Sequence, residues 1–289
     1  MKKLALILIA INLFLAPSYS FEFFKKSRES EVRSVLNKHI KAMESHDIEA
    51  IKSFYDKNYR STDGFNLAEL EEMLIKTYET YGNIKYKVKI NSIVADSECA
   101  TVQISDSSSA VIYPSEGSKK IKRQKSGKLY GKSVYNMYLK KINNEWKIVK
   151  DDILMEETSL KFGVAKNIDM NIIAPEKLQN GQEYDLSIKI NKPKDIMALG
   201  SISREEIVYP PSDYQEKFRR ISDEGELERI VRANDKNLDE YAVASIGFTK
   251  ISLNEEQTKA KIEVLGMAYL MKRINMNQYD EDKKTVENN

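Results

Sequence analysis

The sequence predicts an α+β half, built of three helices on a curved antiparallel sheet, followed by an all-β half. Two observations carry this. The apolar period changes from helical to alternating near Ile84, and after about Asn167 short alternating runs recur between turn residues. The length of 289 residues, with 41% hydrophobic and 31% charged, is that of an ordinary globular chain long enough for two domains. Lys and Arg number 46 against 44 Asp and Glu, so no global charge drives the chain toward nucleic acid or a membrane surface.

The first twenty residues read as a segment outside the fold. Lys2 and Lys3 precede an apolar run from Leu4 to Ala16, then Pro17 and the small residues Ser18 and Ser20 set up a cut before Phe21. This is the layout of a secretory signal peptide, and the run is short for a bilayer core. No Cys lies near the cut to accept a lipid, so the expected location is the periplasm or beyond, without a lipoprotein anchor. The expected division is 1–20 signal peptide, 21–164 α+β domain, 165–277 β-sandwich and 278–289 disordered tail.

From Glu29 the stripe Val32, Leu36, Ile40 and Met43, with Val35 beside it, gives a first helix. Asp47 caps a short second helix reaching Phe54, and a third runs from about Leu67 to Tyr81, where Gly82 can stop it. Tyr86, Val88 and Ile90 then alternate with Lys85, Lys87 and Lys89 as a strand. Further strands are expected at Glu98–Ser107, Leu129–Ile142 and Glu145–Met155, the last two joined by a turn at Asn143-Asn144. The single Cys99, in the second strand, reads as a buried, inert thiol, and it excludes any intramolecular disulfide.

Three segments of this half resemble the nuclear transport factor 2-like (NTF2-like) superfamily, a cone of helices on a curved sheet. They are the helix–break–helix from His39 to Ile51 with Phe54-Tyr55-Asp56, the strand pair Ile90–Val102, and the hairpin Tyr138–Val149, in which Trp146-Lys147-Ile148 opens the last strand. The resemblance covers about Glu29–Leu160. It implies a pocket at the wide end of the cone, where enzymes such as ketosteroid isomerases and scytalone dehydratases place acid–base groups. It also implies that Trp146 packs in the core. The polar residues expected to face such a pocket are Tyr55, Tyr59, Asp63 and Tyr135; a buried carboxyl beside a tyrosine hydroxyl makes a base–donor pair. The isomerase pattern needs a Tyr on the first helix, and Glu29–Ser45 contains none.

The second half offers strands at Ile168–Ile173, Tyr184–Ile190, Ile196–Ile202, Leu227–Ala233, Tyr241–Ile251 and Ala260–Met271. Turn residues such as Asn180-Gly181 and Glu224-Gly225 separate them, which suggests a separate antiparallel sandwich, Ig-like in outline. Residues 21–164 carry 25 basic and 21 acidic side chains and residues 165–289 carry 19 and 23, a polarity that favours contact between the halves or association of copies into a homodimer.

No phosphate loop, dinucleotide fingerprint, metalloprotease helix or nucleophile elbow is present, and no cofactor or metal is expected. His39 and His46 read as exposed helix-end residues rather than ligands. Lys119, Lys120, Lys122, Arg123, Lys125 and Lys128 form a basic loop between the second and third strands, a handle for an anionic lipid, cell-wall polymer or acidic partner. The loop has no interleaved aromatics for stacking bases, which argues against nucleic acid. Together these point to an exported bacterial envelope protein acting as a non-catalytic binding module for a small apolar ligand or an envelope protein. The alternatives are an isomerase, dehydratase or hydrolase using the cone, and an assembly component of an envelope machine.

Overall fold

The computed structural model describes residues 26–113, 126–210, 216–253 and 260–276. The signal peptide and tail expected at 1–20 and 278–289, and basic-loop residues 119–125, lie outside these.

A first helix, α1 (residues 26–45), buries Val32, Leu36, His39 and Ala42 on one face, while Val35, Ile40 and Met43 are half-buried. His39 is therefore a core residue and not an exposed one, because the helix turns it inward between Leu36 and Ala42. In α2 (Ile48–Ser53) the Asp47 carboxylate accepts from the Ala50 amide at 3.0 Å. In α3 (Leu67–Thr80) Asn66 and Glu69 form a reciprocal capping box, Asn66 Oδ1 accepting from the Glu69 amide at 3.1 Å and Glu69 Oε2 from the Asn66 amide at 2.8 Å.

The chain then forms β1 (Lys85–Ala95), β2 (Cys99–Ile112), β3 (Gly127–Ile142) and β4 (Glu145–Gly163), an antiparallel meander. Asn143 and Asn144, both with positive φ, make the β3–β4 turn. Cys99 is exposed, because it opens β2 at the rim of the sheet rather than within it. Trp146 is buried against Val32, Leu36 and Ile148, and its Nε1 donates to Glu31 at 3.2 Å.

A short 3₁₀ turn, Val164–Asn167, leads to β5 (Asp169–Ile173), β6 (Lys177–Leu178), β7 (Glu183–Asn191), β8 (Met197–Glu206), β9 (Arg219–Arg220), β10 (Glu226–Arg232), β11 (Glu240–Leu253) and β12 (Ala260–Met276). β10, β7 and β5 form a small sheet. The other strands do not close a second sheet of their own. They extend the first, in the order β1-β2-β3-β4-β12-β11-β8-β9.

This overturns the expected α+β class with a cone followed by a free-standing Ig-like sandwich. Of the described residues 56% are in strands and 19% are helical, and one large antiparallel sheet runs through both halves. The physical reason lies in β4. The strand continues past Met155 to Gly163, and residues Glu157–Gly163 pair with β12 from Lys272 back to Gly266. The small sheet packs on this extension, and Leu186 and Ile188 of β7 share one buried cluster with Ala244, Ile246 and Phe248 of β11. Gly163 makes the crossing possible: its φ is +57°, and a Cβ there would lie 2.2 Å from the Leu265 carbonyl oxygen. Among the described residues no helix is long and apolar enough to cross a membrane.

Candidate functional site

The free edge of β4 is divided between two neighbours. Near its start it takes the segment after α2, with the Asp56 amide donating to Ile148 O at 2.8 Å and the Thr62 amide to Asp151 O at 2.9 Å. Beyond Glu156 it takes β12. Residues from the first 63 positions and from the last strand therefore meet over one face of β4.

Register fixes which side chains share that face. Ser133 of β3 lies opposite Asp106 of β2 and opposite Glu156 of β4, so the three form one cross-strand row. One pleat further along the same face stands Tyr135, and the next inward residue, Met137, lies opposite Asp151. On the far side of β12, Tyr241 pairs with Arg273.

Three carboxyls of this face are each held by a protein hydroxyl. Ser133 Oγ donates to Asp106 Oδ1 at 2.6 Å, Tyr59 to Asp151 Oδ2 at 2.6 Å and Tyr241 to Glu156 Oε2 at 2.7 Å. Burial pushes all three carboxyls above the ordinary range, and the hydroxyl bonds partly offset it. Tyr55, Tyr59, Tyr135 and Tyr241 are held above the usual phenol value, first by burial and then by the neighbouring carboxylates. By surface area, however, Asp106, Tyr135, Asp151, Glu156 and Tyr241 are only half-buried. Desolvated groups that still touch solvent make this face the candidate cleft.

Of the four residues expected at the pocket, the structure brings three together. The Tyr55 and Tyr59 rings meet edge to face at 4.9 Å, and Tyr135 lies in the field of Tyr55 and Asp151. Asp63 lies at the side of this group, its charge acting on Tyr59 and Asp151, but is engaged in a bidentate pair with Arg273 at 2.6 and 3.0 Å; Arg273 also pairs with Asp239. Asp106, Ser133, Asp151, Glu156 and Tyr241 were not among the expected residues. Asp151 and Glu156 sit in a charged stretch that reads as solvated, and two bulges in the β3–β4 ladder decide which of its residues turn inward. The basic-loop residue within the described chain, Lys128, is exposed on β3 beside Lys161, away from the cleft.

No known protein family matches the chain, and no curated protein matches it. Solved structures of similar shape cover less than half of it. They include Bdellovibrio bacteriovorus Bd1075 (18% identity, TM-score 0.34, 43% of this chain), of whose length the chain spans only 39%. They also include a Streptomyces avermitilis protein of the NTF2-like family described as a dehydratase (13% identity, TM-score 0.37, 44% of this chain and 96% of that one). A third is an LEH-like epoxide hydrolase of M. tuberculosis (14% identity, TM-score 0.30, 43% and 84%). The likeness is confined to the N-terminal part. At these TM-scores it assigns neither a family nor an activity.

Proposed function

We propose that this is an exported, non-catalytic binding module of the bacterial envelope, and that the cleft over β2, β3 and β4 takes a small amphipathic molecule. The observation that carries the reading is the pairing of hydroxyls with carboxyls inside the cleft. An acid–base site needs its donor and its base both aimed at the reacting atom. Here Tyr59 and Tyr241 donate to Asp151 and Glu156 themselves, so the tyrosines orient the carboxyls instead of standing free to protonate a substrate. Ile104 and Ile153, opposite Tyr135, add apolar surface, so the ligand is expected to have an apolar body and a head that donates hydrogen bonds or carries positive charge.

Benzylamine and benzoate test this, because they share a body and differ in the head. Benzylamine should raise the melting temperature and benzoate should not, and the double variant Asp151→Asn/Glu156→Gln should lose the effect. Equal shifts from both probes, or none from either, would overturn the reading. An enzyme is the second reading, favoured by the upward shift of three carboxyls in one cleft. It would be supported by turnover of an ester or epoxide that Asp151→Asn abolishes.

A further inference from the structure

The hairpin of β11 and β12 outgrows the sheet that carries it. β8 accompanies β11 only as far as Thr249, and β4 accompanies β12 only from Gly266 onward. Thr249, the last residue beside β8, pairs with Val264, and past it, among the described residues, the two strands pair only with each other: Lys250 with Glu263, Ile251 with Ile262 and Ser252 with Lys261. Opposite residues of a ladder share a face. The projecting ribbon thus has one face of Val264, Ile251 and Ile262 and another of Lys250, Glu263, Ser252 and Lys261.

No described residue covers the apolar face. Ile251 is 49% exposed, Ile262 64% and Val264 66%. A lone two-stranded ribbon is marginal in water, its open edges are templates for another strand, and a contiguous exposed apolar stripe marks an interaction surface. The two edges differ. On the β11 side Asp195 reaches Lys250 at 3.3 Å. The β12 side, from Lys261 to Val264, carries no strand among the described residues.

We propose that this ribbon is a dimerisation arm, in which the free edge of β12 pairs antiparallel with the same edge of a second copy about a two-fold axis through Ile262. An antiparallel pairing of identical strands is self-complementary, as a two-fold interface must be. This register is the one the charges select. Centred on Ile262, it sets Ile262 against Ile262 of the second copy, Lys261 against Glu263, and Glu263 against Lys261. Centring on Lys261 or on Glu263 would set a charge against itself, which is destabilising. Centring between residues 261 and 262, or between 262 and 263, would set Ile262 against a charge. The chosen register joins the two apolar stripes along the seam.

Sedimentation of the purified protein with charge-reversed variants tests the arm. The unaltered protein should sediment as a dimer. Glu263→Lys and Lys261→Glu should each halve the mass, because each sets like charges across the seam. Mixing those two variants should restore a dimer, as should the double reversal Lys261→Glu/Glu263→Lys, and these two rescues separate repulsion from misfolding. In a Cys99→Ser background, Ile262→Cys should form a disulfide-linked dimer on mild oxidation, since directly opposed Cβ atoms lie about 5 Å apart. A monomer at every concentration, or single reversals that leave the mass unchanged, would overturn the proposal. A monomer that floats with phosphatidylglycerol vesicles would also overturn it, and would give the apolar face to lipid instead.

Discussion

Arg273 and Asp63 meet across 210 positions of sequence, the guanidinium donating two hydrogen bonds to one carboxylate at 2.6 and 3.0 Å. The pair fastens the loop before α3 to the last strand, and Asp239 shares the same guanidinium. The Arg273 side chain is fully buried, so removing a partner leaves charge without compensation rather than returning it to water.

Asp63→Ala should therefore cost about 3 kcal/mol of unfolding free energy, near the lower end for broken buried pairs because Asp239 remains. Breaking the more exposed Lys76–Glu72 pair should cost less than about 1 kcal/mol. Urea unfolding of the two variants side by side checks both. Equal costs would mean that the Asp63–Arg273 contact is a surface pair in solution. Asp63, expected to face a pocket, is part of the joint between the two halves.

Trp146 gives an independent measure of the helical half. It is buried among Val32, Leu36 and Ile148, with its indole N–H donating to Glu31. Trp146→Ala should cost roughly 3–5 kcal/mol. As the only tryptophan, it should also emit at short wavelength and resist quenching by iodide in the folded protein. Red-shifted, freely quenched emission would contradict the packing of the β3–β4 hairpin.

The strands themselves were legible wherever the alternation was strict and the turns carried Asn or Gly. β3 ends at Ile142, turns at Asn143-Asn144 and passes to β4 at Glu145 as expected, while its start lies at Gly127, two residues before Leu129. The joining of the halves was not legible, because the pairing of Glu157 with Lys272 links segments that share no local pattern. The cleft was legible in part. Tyr55, Tyr59 and Tyr135 are legible as hydroxyl-bearing aromatics. Asp151 and Glu156 turn inward only because bulges shift the β3–β4 register, and Tyr241 reaches the cleft only because β12 brings β11 alongside.

His39 predicts how the protein responds to acid. It is buried against the rings of Phe54 and Tyr55, at 5.5 and 5.6 Å, and its Nε2 has no hydrogen-bond partner among the described residues. Burial lowers its pKa from 6.5 to about 4. The unfolded chain then binds a proton that the folded one refuses, so His39 leaves stability intact above pH 6.5 and removes it progressively as the pH falls toward 4. The loss should be on the order of 3 kcal/mol. His39→Phe, which keeps the ring contacts, should flatten the stability curve over that interval. An unchanged acid slope in this variant would place the responsible group elsewhere.

The carboxyls of the cleft should respond in the opposite sense. Burial raises Asp151, and the hydrogen bond from Tyr59 partly restrains that rise. A carboxyl whose folded pKa exceeds its unfolded value holds its proton longer in the native state, so its contribution to stability falls as the pH rises through that interval. Tyr59→Phe removes the donor to the ionised form and leaves the apolar surroundings. The Asp151 titration, followed by carboxyl-carbon NMR, should move further upward, and binding of benzylamine should weaken at neutral pH because less of the carboxyl is charged. Asp151→Asn/Glu156→Gln in the same background should remove both titrations and, with them, the pH dependence of benzylamine affinity. If Tyr59→Phe moved the titration downward, the hydroxyl would be donating to something other than Asp151 in solution, and the pairing on which the binding reading rests would fail.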